Sequence, residues 1–400
     1  MKNKSSESKT LQGSIAIAET ICSLEPGVIG AYPITPQTHI VEHLAKLTEE
    51  GLLKGKYIIA DSEFSAASIL FGAAAAGVRS YSASSSQGLL LMTEVIFNMA
   101  GTRLPGVFSA VNRSLSPPIN IQVDHQDSMT LRDSGVIQLY VENIQEAVDT
   151  HIQIYKVAED PEVLLPAMVC MDGWIISHAY EPVTLWQKEL VQDFVGTFDP
   201  PYKVDPLKPL TYGALADDDK ITEFKCMTDQ ALRKSADKIT ETAEQFRDLF
   251  GNYYGGLVEK YKTEDAEIVF VAMGSIVATL KVAIDMLRKK GRKVGLLKIR
   301  SFRPFPVNAI KEVLPETNLA IVIDRSFSNS AGGILGTEIK ASLYGSNKPF
   351  VINYIAGIGG REIYPQTAFD MLKEADEMLE KGKIPSEAIF YNLNMQMMGG

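Results

Sequence analysis

The chain has 400 residues, which is more than a single hydrophobic core usually spans, so two domains are expected. Hydrophobic residues make up 46% of the chain and charged residues 22%, which is ordinary for a globular protein. The net charge of −10 disfavours general binding to nucleic acid or to an anionic membrane surface, and it says nothing about small molecules.

The first part of the chain, from about residue 11 to about residue 182, alternates short apolar runs with helical patterns. Helices are predicted at Gln37–Glu50, Phe64–Ala76, Gly88–Ala100 and Ile144–Glu159. Strands are predicted at residues 27–34, 55–61, 79–84, 106–111 and 161–173. Strands separated by helices are typical of a parallel sheet covered on both faces, and binding sites in such sheets form at the carboxyl ends of the strands.

The second part follows a polar excursion at residues 183–262, which contains an acidic run and a long charged helical segment. From Glu267 the alternation resumes, with a helix predicted to end at Lys290. Strands are predicted there at residues 267–274, 293–299, 319–324 and 349–355. We therefore predict an α/β protein of two domains, at residues 1–262 and 263–400, the second being the smaller.

Cysteine usage and the first residues indicate a cytoplasmic protein. Cys22, Cys170 and Cys226 lie far apart and form no CxxC pair, so they are neither a disulfide framework nor a zinc or iron–sulfur motif. Buried or half-buried thiols in a reducing compartment are the simplest interpretation. The first ten residues are polar and no apolar run is long enough to cross a bilayer, so neither a signal peptide nor a membrane span is expected.

The first candidate site segment is the loop "YPITP", in which two prolines restrict the backbone around Thr35. Thr35 either caps the helix that follows, with Pro36 in its first turn, or presents its hydroxyl to a substrate. His39 and His43 lie one helical turn apart. Without a third ligand nearby we interpret them as surface and core histidines rather than as a metal site.

The second candidate is Glu63, which lies between an apolar run and a helix rich in small residues. The apolar run, Tyr57 to Ala60, is predicted to be a buried strand. Glu63 either caps the helix, where the helix dipole favours a carboxylate, or is a partly buried acid of raised pKa that exchanges a proton with a ligand nitrogen. Burial of an unpaired charge is costly, so the second interpretation requires a partner for the carboxylate.

The third candidate is Arg113, at the carboxyl end of the strand "GVFSAV". Its guanidinium either forms a bidentate contact with a substrate carboxylate or pairs with an acid of the same loop, Asp124 or Asp127. The run Asp124–His125–Gln126–Asp127 is either an acid/base cluster or a polar network that holds the shape of the loop.

Cofactor anchors are missing from the sequence. The clusters "AGGILG" and "GIGG" lack the pattern of a dinucleotide fingerprint, and the Gly-Asp-Gly…Asn motif with which thiamine enzymes hold magnesium diphosphate does not occur. No nucleophile–base–acid triad can be identified. A chain with catalytic-looking loops but no anchor is expected to be one part of a larger assembly.

The segments "GAYPITPQT", "DSEFSAAS", "SSSQGLLLMTE" and "VNRSLSPPINIQVDHQDSM" closely resemble the α subunits of pyruvate:ferredoxin oxidoreductases. These belong to the 2-oxoacid:ferredoxin oxidoreductase family. The likeness continues through "MDGWIISH", "KIRSFRPFP", "VIDRS" and "GIGGRE", and so covers nearly the whole chain. Gln126 stands where the family more often has serine.

The resemblance implies a thiamine-diphosphate enzyme of several subunits, in which this chain holds the aminopyrimidine ring and adds a domain like the C-terminal domain of transketolase. A β subunit would hold the diphosphate with Mg²⁺ and a [4Fe–4S] cluster, together with a γ subunit and a ferredoxin-like δ subunit with further clusters. Glu63 would bond a pyrimidine nitrogen. Thr35 and Arg113 would contact the oxygens of the 2-oxoacid, with Arg113 on its carboxylate.

The expected reaction converts pyruvate, coenzyme A and oxidised ferredoxin into acetyl-CoA, carbon dioxide and reduced ferredoxin. Pyruvate is favoured because the "YPITP" loop beside Arg113 leaves a small pocket with one cationic clamp. Branched-chain 2-oxoacids, 2-oxobutyrate and oxalate remain open as substrates. The alternative classes are a non-catalytic α/β binding subunit and a non-oxidative thiamine enzyme, neither of which would reduce ferredoxin.

Overall fold

The structure is a computed structural model that describes residues 6–399. The strands are β1 Ser6–Gln12, β2 Val28–Ala31, β3 Lys56–Ile59, β4 Ser80–Ser84, β5 Val107–Asn112, β6 Ile137–Tyr140, β7 Ala167–Asp172, β8 Tyr180–Trp186, β9 Val258–Tyr261, β10 Ile268–Ala272, β11 Val294–Ile299, β12 Ser301–Arg303, β13 Leu319–Asp324, β14 Phe327–Ser328, β15 Gly332–Gly333, β16 Phe350–Ile355 and β17 Ile389–Phe390.

The helices alternate with these strands, as the sequence predicts for an α/β protein. The α-helices are α1 Gly13–Leu24, α2 Thr38–Glu49, α3 Glu63–Ala75, α4 Gln87–Gly101, α5 Gln126–Met129, α6 Ile144–Ala158, α7 Lys188–Val195, α8 Ile221–Phe250, α9 Ile276–Lys289, α10 Val307–Val313, α11 Ile334–Ser342 and α12 Pro365–Glu380. Short 3₁₀ helices lie at Leu314–Glu316, Ile358–Gly360 and Met395–Met398. No helix within residues 6–399 is long and apolar enough to cross a membrane.

The larger sheet has seven strands in the order β12-β6-β7-β5-β4-β2-β3, and all its pairings are parallel except that of β12 with β6. The chain runs from β2 to β3 on one side and then returns to β4 on the other side of β2. Such a reversal of strand order opens a crevice at the carboxyl ends of the strands. The crevice lies where the three candidate residues were expected.

The smaller sheet has six strands in the order β17-β16-β13-β10-β11-β9, and only the pairing of β9 with β11 is antiparallel. Its central strands β10, β11 and β13 are buried along their whole length. All four strands predicted after residue 266 are present, because continuous apolar runs are what the interior of a parallel sheet requires.

Two strands cross the predicted division of the chain. β9 precedes residue 263 but pairs in the smaller sheet, whereas β12 follows it and extends the larger sheet. A buried ion network also joins the two halves, because Lys298 Nζ on β11 lies 2.7 Å from Glu146 on α6 and 3.0 Å from Glu142. The division at residue 262 therefore stays a prediction.

The Tyr57–Ala60 run is not the buried strand that the sequence predicts. β3 lies at the edge of the larger sheet, and the Ile59 side chain is 78% exposed. A short apolar run is compatible both with a central strand and with an edge strand that another polypeptide covers. Helix α1, strand β6 and the antiparallel pair β1–β8 were not predicted from the sequence.

Candidate active site

Four chain segments meet at the crevice where the strand order reverses. Thr35 follows β2, Glu63 follows β3, the residues 84–88 connect β4 to α4, and Arg113 follows β5. Because these strands are parallel neighbours, their carboxyl ends lie along one edge of the sheet. The fold therefore brings the three predicted site residues to the same edge.

Glu63 is the first residue of α3 and is only 7% exposed. It is not the helix cap, since the Ser62 side chain takes that position and accepts a hydrogen bond from Ser65 N at 3.2 Å. Within residues 6–399 no hydrogen bond or ion pair is made by the Glu63 carboxylate. The second interpretation of Glu63, a nearly buried acid that requires an external partner, fits this environment.

Two glycines let the neighbouring elements approach Glu63. A side chain on Gly30 of β2 would begin 2.6 Å from the Ala66 carbonyl oxygen, so α3 packs directly on the strand. A side chain on Gly88 of α4 would begin 2.6 Å from Glu63 Oε1 and closer still to Ser84 Oγ. The Glu63 carboxylate and the Ser84 hydroxyl therefore both lie against Gly88 in the first turn of α4.

Unsatisfied hydroxyls surround this point. Ser84 and Ser85 are fully buried, and neither hydroxyl has a hydrogen-bond partner within the described chain. Buried polar groups without partners are rare in folded proteins, so such a group calls for an explanation, and a bound ligand is one. The serine run at the end of a predicted buried strand contributes to the family resemblance, but no site role was predicted for Ser84 or Ser85 from the sequence.

Thr35 and Arg113 are in contact through the Thr35 backbone. The Thr35 carbonyl accepts a hydrogen bond from Arg113 Nη1 at 2.8 Å, while the residue itself is exposed. Thr35 does not cap a helix, because α2 begins at Thr38 with Gln37 at the cap position. Within residues 6–399 the Arg113 guanidinium pairs with no acid, so the interpretation that ties it to Asp124 or Asp127 is wrong.

The loop acids form a polar network. Asp124 accepts from Gln126 N at 2.6 Å, and Asp127 accepts from four N–H groups of the surrounding segments. Burial raises the pKa of Asp127 to about 6 in spite of these bonds. His125 instead pairs with Asp172 at 2.7 Å. Of the two interpretations, the geometry favours the one that holds the loop shape.

Asp172, at the end of β7, joins the site to the second half of the chain. It accepts from His125, from Arg325 and, at 2.9 Å, from Ser275 N at the start of α9. Burial alone would raise the pKa of Asp172, but the Arg325 and His125 charges hold it well below its usual range. Nothing in the sequence singled out Asp172 or Arg325, since their pairing requires both halves of the fold.

The two histidines of α2 are used structurally. His39 contacts Gln12 Oε1 at 3.0 Å, and His43 contacts Glu19 Oε1 at 2.8 Å. No group of three or more histidine, cysteine, aspartate or glutamate side chains in the described part of the chain is arranged to hold a metal ion.

Two models of known protein families match this chain. Residues 19–245 match the family model described as pyruvate flavodoxin/ferredoxin oxidoreductase, thiamine-diphosphate-binding, and residues 266–368 match core domain II of pyruvate:ferredoxin oxidoreductase. The first match alone spans more than half of the chain. This chain belongs to the pyruvate:ferredoxin oxidoreductase family.

Curated relatives agree with the family models. The chain is 46% identical to "Pyruvate synthase subunit PorA" of Methanosarcina barkeri, over 97% of each chain. It is 43% identical to the protein of the same name in Thermotoga maritima, over 90% of this chain and 92% of that one. It is also 38% identical to "Ketoisovalerate oxidoreductase subunit VorA" of Pyrococcus abyssi, over 96% of this chain and 98% of that one.

Solved structures share the fold of this family member. A 2-oxoglutarate:ferredoxin oxidoreductase from Magnetococcus marinus aligns with a TM-score of 0.70 at 20% identity, over 92% of this chain and 65% of that chain. A split-gene transketolase, an inactive β4 tetramer, aligns with a TM-score of 0.54 at 12% identity, over 92% and 98%. The predicted combination of a thiamine-enzyme sheet domain with a transketolase C-terminal-like domain is confirmed.

The residues at the crevice fit the thiamine diphosphate that the family model specifies. An aminopyrimidine ring offers nitrogens that can share a proton with a carboxylate and N–H groups that need acceptors. Glu63 and the unsatisfied hydroxyl of Ser84, which both lie against Gly88, supply such partners at one place. The pyrimidine end of the cofactor is therefore the part that this chain is equipped to receive.

Proposed function

We propose that this chain is the α subunit of a multi-subunit, thiamine-diphosphate-dependent pyruvate:ferredoxin oxidoreductase. The complex would convert pyruvate, coenzyme A and oxidised ferredoxin into acetyl-CoA, carbon dioxide and reduced ferredoxin. The observation that supports this function best is Glu63, a nearly buried carboxylate without a partner in the described chain, beside unsatisfied hydroxyls where the strand order reverses.

Glu63 is proposed to hold a proton at a pyrimidine nitrogen of the cofactor. Bound thiamine diphosphate supplies a carbon nucleophile and an electron sink for decarboxylation of a 2-oxoacid. The carboxylate lies at the first turn of α3 against Gly88, where it is nearly buried and has no competing partner in the described chain. Positioned proton transfer of this kind contributes about 10²–10⁴-fold in rate.

Arg113 and Thr35 are proposed to bind the substrate. The guanidinium is planar and its fork matches a carboxylate, so Arg113 is assigned to the carboxylate of the 2-oxoacid. The contact from the Thr35 carbonyl holds one arm of that fork at the mouth of the crevice. The exposed Thr35 side chain lies beside it and is assigned to the remaining substrate oxygens.

Partner subunits are proposed to complete the site. A β subunit would hold the diphosphate, Mg²⁺ and a [4Fe–4S] cluster, and γ and ferredoxin-like δ subunits would complete a cytoplasmic complex. The support lies in the surface next to Glu63, where several apolar side chains of β3, α3 and α4 are exposed, namely Ile58, Ile59, Phe64, Leu90 and Leu91. Several exposed apolar side chains beside a site are typical of a protein–protein interface.

A branched-chain 2-oxoacid is the second candidate substrate, because the VorA relative is named for ketoisovalerate and aligns over nearly the whole chain. A panel of 2-oxoacids separates the two candidates. The intact complex is supplied with coenzyme A and each acid in turn, and viologen reduction is followed. Pyruvate should give the highest kcat/KM. The absence of dye reduction with every acid would favour the non-oxidative or non-catalytic class.

The proposed role of Glu63 is tested with Glu63→Gln in the intact complex. Glutamine preserves size and burial but cannot share the proton, so turnover should fall by about 10²-fold or more while the subunits stay assembled. The control is Glu49→Gln, which changes an exposed acid at the end of α2. Activity of the Glu63→Gln complex close to that of the control would contradict the assignment.

A further inference from the structure

The Asp127 carboxylate accepts four hydrogen bonds near the site, and it lies between the two segments that carry Ser86 and Arg113. Its Oδ2 accepts from Ser86 N at 2.9 Å and from Arg113 N at 3.0 Å. Its Oδ1 accepts from Asn112 Nδ2 at 2.8 Å and from Ser128 N at 2.7 Å. The carboxylate is fully buried, and all four donors come from the ends of β4 and β5 and from α5.

The Ser86 side of this arrangement leads to Glu63. Ser86 has a φ of 51°, in the left-handed region that residues other than glycine rarely adopt, and its N–H points at Asp127. Its hydroxyl lies 2.6 Å from the Ser114 carbonyl oxygen. Two residues further along, Gly88 lies against the Glu63 carboxylate. Asp127 therefore holds the turn that forms one wall of the Glu63 pocket.

The Arg113 side leads to the substrate. The backbone N–H of Arg113 is fixed by Asp127, and its guanidinium reaches the Thr35 carbonyl. A single oxygen atom, Asp127 Oδ2, thus sets the backbone of Arg113 relative to the start of α4. We infer that Asp127 is the positioning residue that fixes Arg113 with respect to the Glu63 wall, an inference that rests on the proposed function.

The donors around residue 127 require a carboxylate at this position. Four N–H donors converge on it, and only an ionised carboxylate offers acceptors on both oxygens. An asparagine would turn its own NH₂ group toward one pair of donors and leave that pair unsatisfied. Asn112 already donates its amide to the Asp127 carboxylate, so the two residues can be exchanged as a test.

The test uses the intact complex, with kcat and KM for pyruvate measured by viologen reduction at saturating coenzyme A. Asp127→Asn should raise KM by about tenfold or more, because in either orientation its NH₂ group opposes a donor of residue 112 or 113 and so shifts the Arg113 backbone, while kcat changes less than KM. The exchange Asp127→Asn/Asn112→Asp lets the amide of residue 127 donate to the new acid and keep its oxygen toward Ser86 and Arg113. It should return KM to within about threefold of the wild-type value, and the loss of the Ser128 bond accounts for the remainder.

The control is Asp124→Asn, on the same loop, whose carboxylate accepts from Gln126 N and Ser114 Oγ among the described residues and should leave KM unchanged. A KM for Asp127→Asn within twofold of the wild-type value, or a loss confined to kcat, would overturn the inference. If Asp127→Asn does not assemble, the exchange decides alone: assembly with near-normal KM supports the inference, and a raised KM or failed assembly overturns it. A wild-type complex inactive with every 2-oxoacid would overturn the proposed function and this inference together, whereas the preceding results overturn the inference only.

Discussion

Replacement of Gly88 by alanine is expected to move the Glu63 carboxylate without destabilising the fold. Gly88 has no left-handed φ, so alanine can adopt its backbone conformation. Alanine is the better helix former by ~1 kcal/mol at most positions, and on that ground alone the substitution would stabilise α4. The new methyl group, however, would begin 2.6 Å from Glu63 Oε1, whereas ordinary contacts begin at 3.4 Å.

The displacement of Glu63 Oε1 follows from the difference between the 2.6 Å separation and the 3.4 Å of an ordinary contact. The atoms in the way are the free ends of the Glu63 and Ser84 side chains, together with Glu63 Cγ at 2.9 Å, so side chains rather than backbone must move. The carboxylate must shift by about 1 Å, and a misplacement of that size costs about 10²-fold in rate. We therefore expect Gly88→Ala to assemble normally and to lose about 10²-fold in kcat.

The assay compares viologen reduction and urea unfolding in complexes that contain Gly88→Ala or Gly72→Ala. Gly72 is an exposed residue of α3, the helix that begins with Glu63, and a side chain there would meet nothing within 4 Å. Gly72→Ala should keep wild-type kcat and gain up to ~1 kcal/mol of stability. A Gly88→Ala complex with wild-type kcat would refute the reasoning, because the pocket would then tolerate a displaced carboxylate.

Three further predictions concern charge. Arg113→Lys should raise KM for pyruvate by about tenfold or more, since the planar fork is lost; unchanged KM in a substrate titration would reject the clamp. Lys298→Met removes the buried cation that Glu142 and Glu146 share, leaving them Lys281 and Arg300, and should cost about 3–5 kcal/mol in urea unfolding; a loss below about 1 kcal/mol would contradict this. Burial lowers the pKa of His151 from 6.5 to about 4, so the unfolded chain binds a proton that the folded chain does not, and stability falls as pH falls between these values. Relative to His151→Gln, the wild type should lose ~1.4 kcal/mol per pH unit there, and parallel stability curves would refute the assignment.

Chain alternation was enough to predict the α/β class and most of the central strands. The apolar run of β10, for example, is continuous and fully buried, so the local sequence pattern and the tertiary packing favour the same strand. The α2 helix was predicted within one residue at each end, because its apolar face repeats at helical spacing. The convergence of Thr35, Glu63 and Arg113 on one sheet edge was also accessible, since each follows a predicted parallel strand.

The parts that could not be predicted depend on neighbours that are distant in sequence. β12 joins the larger sheet from the second half of the chain, and no local pattern specifies that choice. The bond between Arg113 and the Thr35 carbonyl spans 78 residues and involves a backbone atom, which carries no sequence signal. The four donors around Asp127 likewise come from three separate elements, so the sequence left that acid between two interpretations.

The exposed edge at β3 and the unsatisfied crevice beside it have a common explanation under the proposed function. An edge strand with exposed isoleucines favours association with other chains, and natural proteins usually protect such edges with charges or cover. Here the exposed Ile59 lies four residues before Glu63, a carboxylate whose own partner is missing from the described chain. If two subunits bind one cofactor, their interface must lie at the site. The exposed apolar edge of β3 beside Glu63 provides a surface for that interface. Burial of β3 by a partner would therefore exclude water from Glu63 in the same step that brings the rest of the cofactor to it.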